Sequence, residues 1–175
     1  AAPPAGANRP GATLDLDRAA ERYRAILDRG REIGVIPQLE VWGPSANLSH
    51  GSEALYVAAR SGHPDACVLL DAYHMYKGGT PASVMKLLGR EAVHCYHLND
   101  YPADPPRESI GDADRVWPGE GIAPLGEILT YLARNHCRVM LSLELFNRDY
   151  WKMPALEAAQ LGLAKMKAAV ADAGL

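Results

Sequence analysis

Short apolar runs alternate along this chain with longer stretches of helical spacing. Four runs rich in Val, Leu and Ile, and bounded by Gly, Pro, Asn or Asp, read as β-strands: residues 35–41 (VIPQLEV), 66–71 (ACVLLD), 92–98 (AVHCYHL) and 139–145 (VMLSLEL). Residues 14–33 carry Leu14, Leu16, Ala19, Ala20, Tyr23, Ile26 and Leu27 on one face, which predicts a helix stopped by Gly34. Further helices are predicted over 52–60, 81–88, 124–135 and 154–173, three of them with proline at the first turn. Regular alternation of helix and strand demands a mostly parallel sheet with right-handed crossovers, an α/β fold.

Each strand run carries a polar residue near its C-terminal end: Glu40, Asp71, His97 and Glu144. Parallel strands all point the same way, so these residues converge on the face where β/α proteins place their chemistry. The opening AAPPAGA reads as the tail of a strand and its loop, so about four and a half β/α units are visible where a closed barrel needs eight. Residues 1–175 are therefore expected to be a single domain, the C-terminal portion of a (β/α)8 TIM barrel. A half barrel on its own leaves two open sheet edges. A truncated chain is the favoured explanation, and completion by another copy, a homo-oligomer, is the alternative. The longest connection, residues 99–121, is rich in Pro, Gly and Asp, and its place above the strand ends argues for a functional loop.

The bulk composition, 175 residues with 48% hydrophobic and 22% charged content, fits one domain with a substantial core. A net charge of -3 lacks the basic footprint of a nucleic-acid partner. No stretch approaches the roughly 18 apolar residues of a membrane span, and the N-terminus lacks the features of a secretory signal. The expected compartment is the cytoplasm. Cys67, Cys95 and Cys137 are odd in number and form no CxxC pair, so they read as reduced packing residues.

Three carboxylates and one imidazole form a mixed, hard donor set suited to one divalent metal, Mn2+, Mg2+, Co2+ or Zn2+. Taken singly, each acid could equally cap a helix or pair with a lysine; the set of four at equivalent strand ends points to a metal. Such an ion acidifies a C–H between a carbonyl and a hydroxyl, and Glu40 and Glu144 are the natural pair to remove and return that proton through an enediolate. His74, three residues past Asp71, is placed to contact substrate, or to cap a helix. Asp100 either orients His97 or caps a turn. Arg115 is the candidate for gripping a substrate anion, against a salt bridge with Asp112 or Asp114. Trp42 is expected to wall the pocket and exclude water, whereas Trp117 and Trp151 read equally well as packing residues. His50, His63, His94 and His136 read as surface or packing residues.

LEVWG around Glu40, LLDAYH around Asp71, CYHLND around His97, DADRVWPGEG at 112–121 and LSLELFN around Glu144 resemble the xylose isomerase-like TIM barrel superfamily of sugar phosphate isomerases and epimerases. The resemblance covers nearly the whole chain and corresponds to the C-terminal half, or slightly more, of a family member. It implies that Glu40, Asp71, His97 and Glu144 bind one divalent metal, with the two glutamates as acid and base. It also implies that His74 contacts substrate, as in ketohexose 3-epimerases. Those epimerases have an acid where Ala46 stands and an arginine where Ala103 stands, so another branch of the family is favoured. Apurinic endonucleases of the same superfamily carry Asp-Arg-His where this chain has Asp114, Arg115 and Val116, which removes a zinc ligand and argues against DNA repair. The expected activity is metal-dependent isomerisation or epimerisation of a small sugar or polyol. The alternatives are a lyase of inosose dehydratase type, whose product would lose one water, and a non-catalytic barrel fragment.

Overall fold

The computed structural model describes Arg9 and residues 11–175. The opening AAPPAGA, read above as the tail of a strand, lies outside the described residues. Among the described residues five α-helices and four short strands alternate: α1 (Leu16–Ile33), β1 (Leu39–Glu40), α2 (Gly51–Arg60), β2 (Val68–Asp71), α3 (Ala72–Lys77), β3 (Cys95–His97), α4 (Leu125–Arg134), β4 (Met140–Ser142) and α5 (Ala155–Asp172). The strands form one parallel sheet in the order β1-β2-β3-β4, which leaves β1 and β4 at its edges among the described residues.

Local chemistry sets the boundaries. The Asp15 carboxylate accepts from the backbone N–H groups of Asp17 and Arg18 and starts α1, and Gly34, in the left-handed region at φ 72°, ends it. His50 and Glu53 form a capping box at the start of α2. Asp71 is at once the last residue of β2 and the N-cap of α3.

The structure corrects several expectations. The first predicted strand shrinks from residues 35–41 to Leu39–Glu40: Pro37 has no N–H to donate, and Val35 and Ile36 are exposed. The fourth shrinks from 139–145 to Met140–Ser142. Residues 81–88, expected as an α-helix, instead form a 3-10 helix over Ala82–Leu87. Helix α3 is an addition to the predicted elements.

The core lies between the sheet and α1, α2 and α4, with Tyr23, Leu27, Val41, Val57, Leu70, Tyr96, Leu98 and Ile128 all buried. Burial is far thinner at the β4 edge. Helix α5 fully buries only Gly162, and Met140, Leu156 and Leu163 are exposed.

Register fixes the relative heights of the polar strand ends. Asp71 pairs with His97, and His97 pairs with Ser142, two residues before Glu144. The long loop between β3 and α4 is anchored by Asp100, whose carboxylate accepts from the N–H groups of Tyr101, Gly119, Gly121 and Ala123. A Cβ at Gly121 would lie 2.2 Å from the Tyr101 carbonyl and 2.4 Å from Asp100 Oδ1, so only glycine permits this approach. Asp100 therefore caps the loop, the second of its two expected roles. In the middle of the loop, Lys77 Nζ donates to the carbonyls of Arg107, Glu108 and Ile110. No helix of the described residues is long and apolar enough to cross a membrane.

Candidate active site and metal centre

All four strand-end residues meet at the carboxyl end of the sheet. One ligand atom from each of Glu40, His97 and Glu144 lies within 4.8 Å of the others, and the same holds for Asp71, His74 and Glu144. His97 Nδ1 is 3.5 Å from Asp71 Oδ2 and 3.6 Å from Glu144 Oε2, and this buried nitrogen has no hydrogen-bond partner. A buried ring nitrogen left unsatisfied among three carboxylates is costly on its own. It fits a nitrogen ligand to a divalent cation, and the oxygen-rich donor set around it agrees.

The acids differ in their surroundings. Asp71 is fully buried, and its Oδ1 accepts from the N–H groups of Tyr73 and His74, at 2.8 and 3.4 Å. Its Oδ2 accepts from Asn99 Nδ2 at 2.6 Å and from Arg115 Nη1 at 3.4 Å. Burial on its own would raise its pKa, but neighbouring His97, His74 and Arg115 outweigh that and hold it below the usual carboxylate range. Glu40 is half-buried, and its carboxylate makes no hydrogen bond to a described residue. Burial, reinforced by the charge of Glu144, raises its pKa. Burial would lower the His97 pKa, but Asp71, Glu144 and Glu40 together raise it. His74, also buried, is pushed down by burial, an effect that Asp71 opposes and Arg115 reinforces.

Arg115 is the centrepiece of the long loop and is only 1% exposed. Its Nη1 donates to the Glu144 carbonyl at 2.8 Å and to Glu144 Oε2 at 3.2 Å, and its Nη2 meets Asp112 and His74 Nε2. Arginine only donates, so His74 Nε2 accepts and the ring carries its proton on Nδ1. The guanidinium lies 4.3 Å from the centre of the Tyr73 ring and 5.1 Å from that of Phe146. The salt bridge to Asp112, weighed as the alternative role of Arg115, is therefore present.

A cleft of about 340 Å³ opens above this cluster, lined by Glu40, Trp42, His74, Asp112, Arg115, Glu144 and Phe146. Five of the seven sequence-predicted site residues line it; Asp71 and His97 complete the cluster through their contacts with Arg115 and Glu144. Trp117 stacks on Tyr150, and Trp151 donates its ring N–H to the Leu145 carbonyl; neither lines the cleft. Sequence reasoning missed Asn99, Tyr73 and Phe146, and that Asp112, weighed only as a partner of Arg115, also lines the cleft. Asn99 stood in view in the HLND motif, two residues past His97 and so on the same side of an extended chain.

A family model described as xylose isomerase-like TIM barrel matches residues 2–169. The inosose isomerase of Bacillus subtilis is 29% identical over 136 residues, covering 77% of this chain and 49% of that protein. That of Halalkalibacterium halodurans is 29% identical over 126 residues, covering 71% and 44%. The chain thus spans about half the length of the curated relatives it matches. Among solved structures, the IolI protein with a binding zinc atom superposes with a TM-score of 0.85 at 24% identity, over 93% of this chain and 60% of that one. L-ribulose 3-epimerase superposes at 0.73 with 18% identity, over 96% and 58%. The strand-end arrangement, the parallel sheet and the family match agree: the chain belongs to the xylose isomerase-like TIM barrel family.

Proposed function

We propose that this chain carries the metal and acid–base half of a divalent-metal-dependent isomerase or epimerase acting on a small, uncharged keto-polyol or sugar. The observation that carries the reading is the pairing of Glu40 and Glu144. Both line the cleft, with ligand atoms within 4.8 Å of each other and of His97. In this reading Glu40, Asp71, His97 and Glu144 would hold the ion. Bound there, it would supply Lewis acidity to a carbonyl and its neighbouring hydroxyl.

The protein's own groups divide the remaining work. Asp71, hydrogen-bonded on both oxygens and held at low pKa, is a fixed ligand and not a base. Glu40, whose carboxylate makes no hydrogen bond to a described residue, takes a proton from the substrate C–H, and Glu144 delivers a proton of its own to the other side of the enediolate, both glutamates then re-equilibrating their protons with solvent. Trp42 and Phe146 wall the cleft against water. His74 faces the substrate as a neutral ring oriented by Arg115.

Arg115 was expected to grip a substrate anion. With both Nη groups already engaged by protein acceptors, its stronger role in this proposal is to orient Asp71, Glu144 and His74. No other arginine or lysine lines the cleft among the described residues, which supports an uncharged substrate over a phosphorylated one. The inosose isomerases among the relatives support the same class. We further propose that residues 1–175 form the C-terminal portion of one barrel domain, in which further strands and helices cover the β4 edge and the exposed Met140, Leu156 and Leu163.

The test is exchange of a substrate C–H for deuterium in D2O, using the full-length protein reconstituted with Mn2+ and a panel of inososes and ketoses. Exchange with conservation of product mass, lost on chelation, is expected, with product formation reduced about 10²–10⁴-fold in Glu144→Gln. Loss of one water from the product would replace isomerisation by dehydration, and undiminished product formation in Glu144→Gln would end the acid–base assignment.

A further inference from the structure

We infer that Asn99 is a positioning residue that couples two of the candidate metal ligands across three strands. This rests on the metal-dependent reading above and adds a residue to it. Asn99 is fully buried; its Nδ2 donates to Asp71 Oδ2 at 2.6 Å, and its Oδ1 accepts the backbone N–H of Glu144 at 2.9 Å. The two contacts fix the orientation of the amide, because an ionised carboxylate only accepts and a backbone N–H only donates.

Register explains why this one side chain reaches both neighbours. His97 pairs with Asp71 on one side and Ser142 on the other, so two residues further on Asn99 stands level with Glu144 and just past Asp71. Its side chain shares the face of His97, where the cluster assembles. Asp71 Oδ1 is already committed to the N-terminus of α3, and Arg115, which only donates, cannot take the place of the Asn99 carbonyl at the Glu144 N–H.

The consequences for the site are specific. With Oδ1 capping α3, and Oδ2 accepting from Asn99 at 2.6 Å and from Arg115 at 3.4 Å, the Asp71 carboxylate is held in one orientation, and Asn99 makes the shorter of the two Oδ2 contacts. The same amide pins the backbone of Glu144 at the point where the chain leaves β4, which sets the distance of its carboxylate from His97 and Glu40. A buried partner that orients a ligand in this way contributes to metal affinity without touching the metal.

The test uses the full-length protein with Asn99→Leu, Asn99→Ala and Asn99→Asp. Mn2+ and Zn2+ affinities are measured by calorimetry, the Glu144 amide by 15N-resolved NMR, and C–H exchange at saturating Mn2+. Asn99→Leu and Asn99→Ala are expected to bind Mn2+ about 10–100-fold more weakly, with the Glu144 amide proton shifted upfield. Asn99→Asp keeps an acceptor for that amide, so its proton stays near its original position and its exchange rate at saturating Mn2+ exceeds that of Asn99→Leu. A merely structural role would lower the thermal midpoint and leave the Mn2+ affinity of the folded protein unchanged. Unchanged affinity in folded Asn99→Leu, or in Asn99→Ala should the leucine variant not fold, overturns the inference alone. An unsubstituted protein that binds neither ion overturns it together with the metal-dependent reading.

Discussion

Asp71 and Glu40 stand at neighbouring strand ends of the same sheet, yet their surroundings are opposite. Asp71 is fully buried, with two backbone N–H groups, an amide and a guanidinium on its carboxylate. Glu40 is half-buried, and its carboxylate has no hydrogen-bond partner among the described residues. One is held ionised by its neighbours, the other is pushed toward its neutral form by burial and by Glu144. Two carboxylates of similar chemistry are thus separated into a rigid ligand and a group free to exchange a proton. The contrast also divides stability from reactivity, because only Asp71 is built into the hydrogen-bonding of the fold.

The largest effect that tests this contrast is expected for Asp71→Ala. It strips the cap from α3 and leaves the buried Arg115 without one of its carboxylate partners, for a loss of about 3–5 kcal/mol in urea unfolding. A loss no greater than that of a surface substitution would mean that Asp71 is not the anchor described. Glu40→Gln should do the reverse: an unchanged unfolding midpoint with C–H exchange lowered about 10²–10⁴-fold. Comparable destabilisation by the two substitutions would erase the distinction. The smallest effect is expected for Asp112→Asn, since the Asp112 side chain is 41% exposed and screened by solvent, while Arg115 keeps Asp71 and Glu144. A change of about 0–1 kcal/mol in unfolding is expected, and a larger one would place the anchor of Arg115 at the rim of the cleft instead of beneath it.

Much of the site was legible because each candidate ligand follows an apolar run, and parallel strands bring such ends together. Glu40, Asp71 and His97 close their strands, and Glu144 lies two residues beyond Ser142. The strand lengths were less legible. Pro37 and the exposed Val35 and Ile36 belong to an apolar run without belonging to the sheet, because periodicity registers apolarity and not hydrogen-bonding. Helix α3 escaped notice for a related reason: at six residues it is too short for a helical repeat, and its start depends on a side chain that also ends a strand. Asn99 was hidden in plain view, since its two partners lie 28 and 45 residues away in sequence.

By itself the amino-acid sequence determined the alternation of elements, the parallel sheet and the identities of the strand-end acids and imidazole, because apolar period and chain direction are local properties. Tertiary structure alone decided which carboxylate is fixed and which is free, where Arg115 places its charge, and how Asn99 bridges its neighbours. Those depend on burial and on hydrogen bonds between residues distant in the chain, and such contacts exist only once the strands lie side by side.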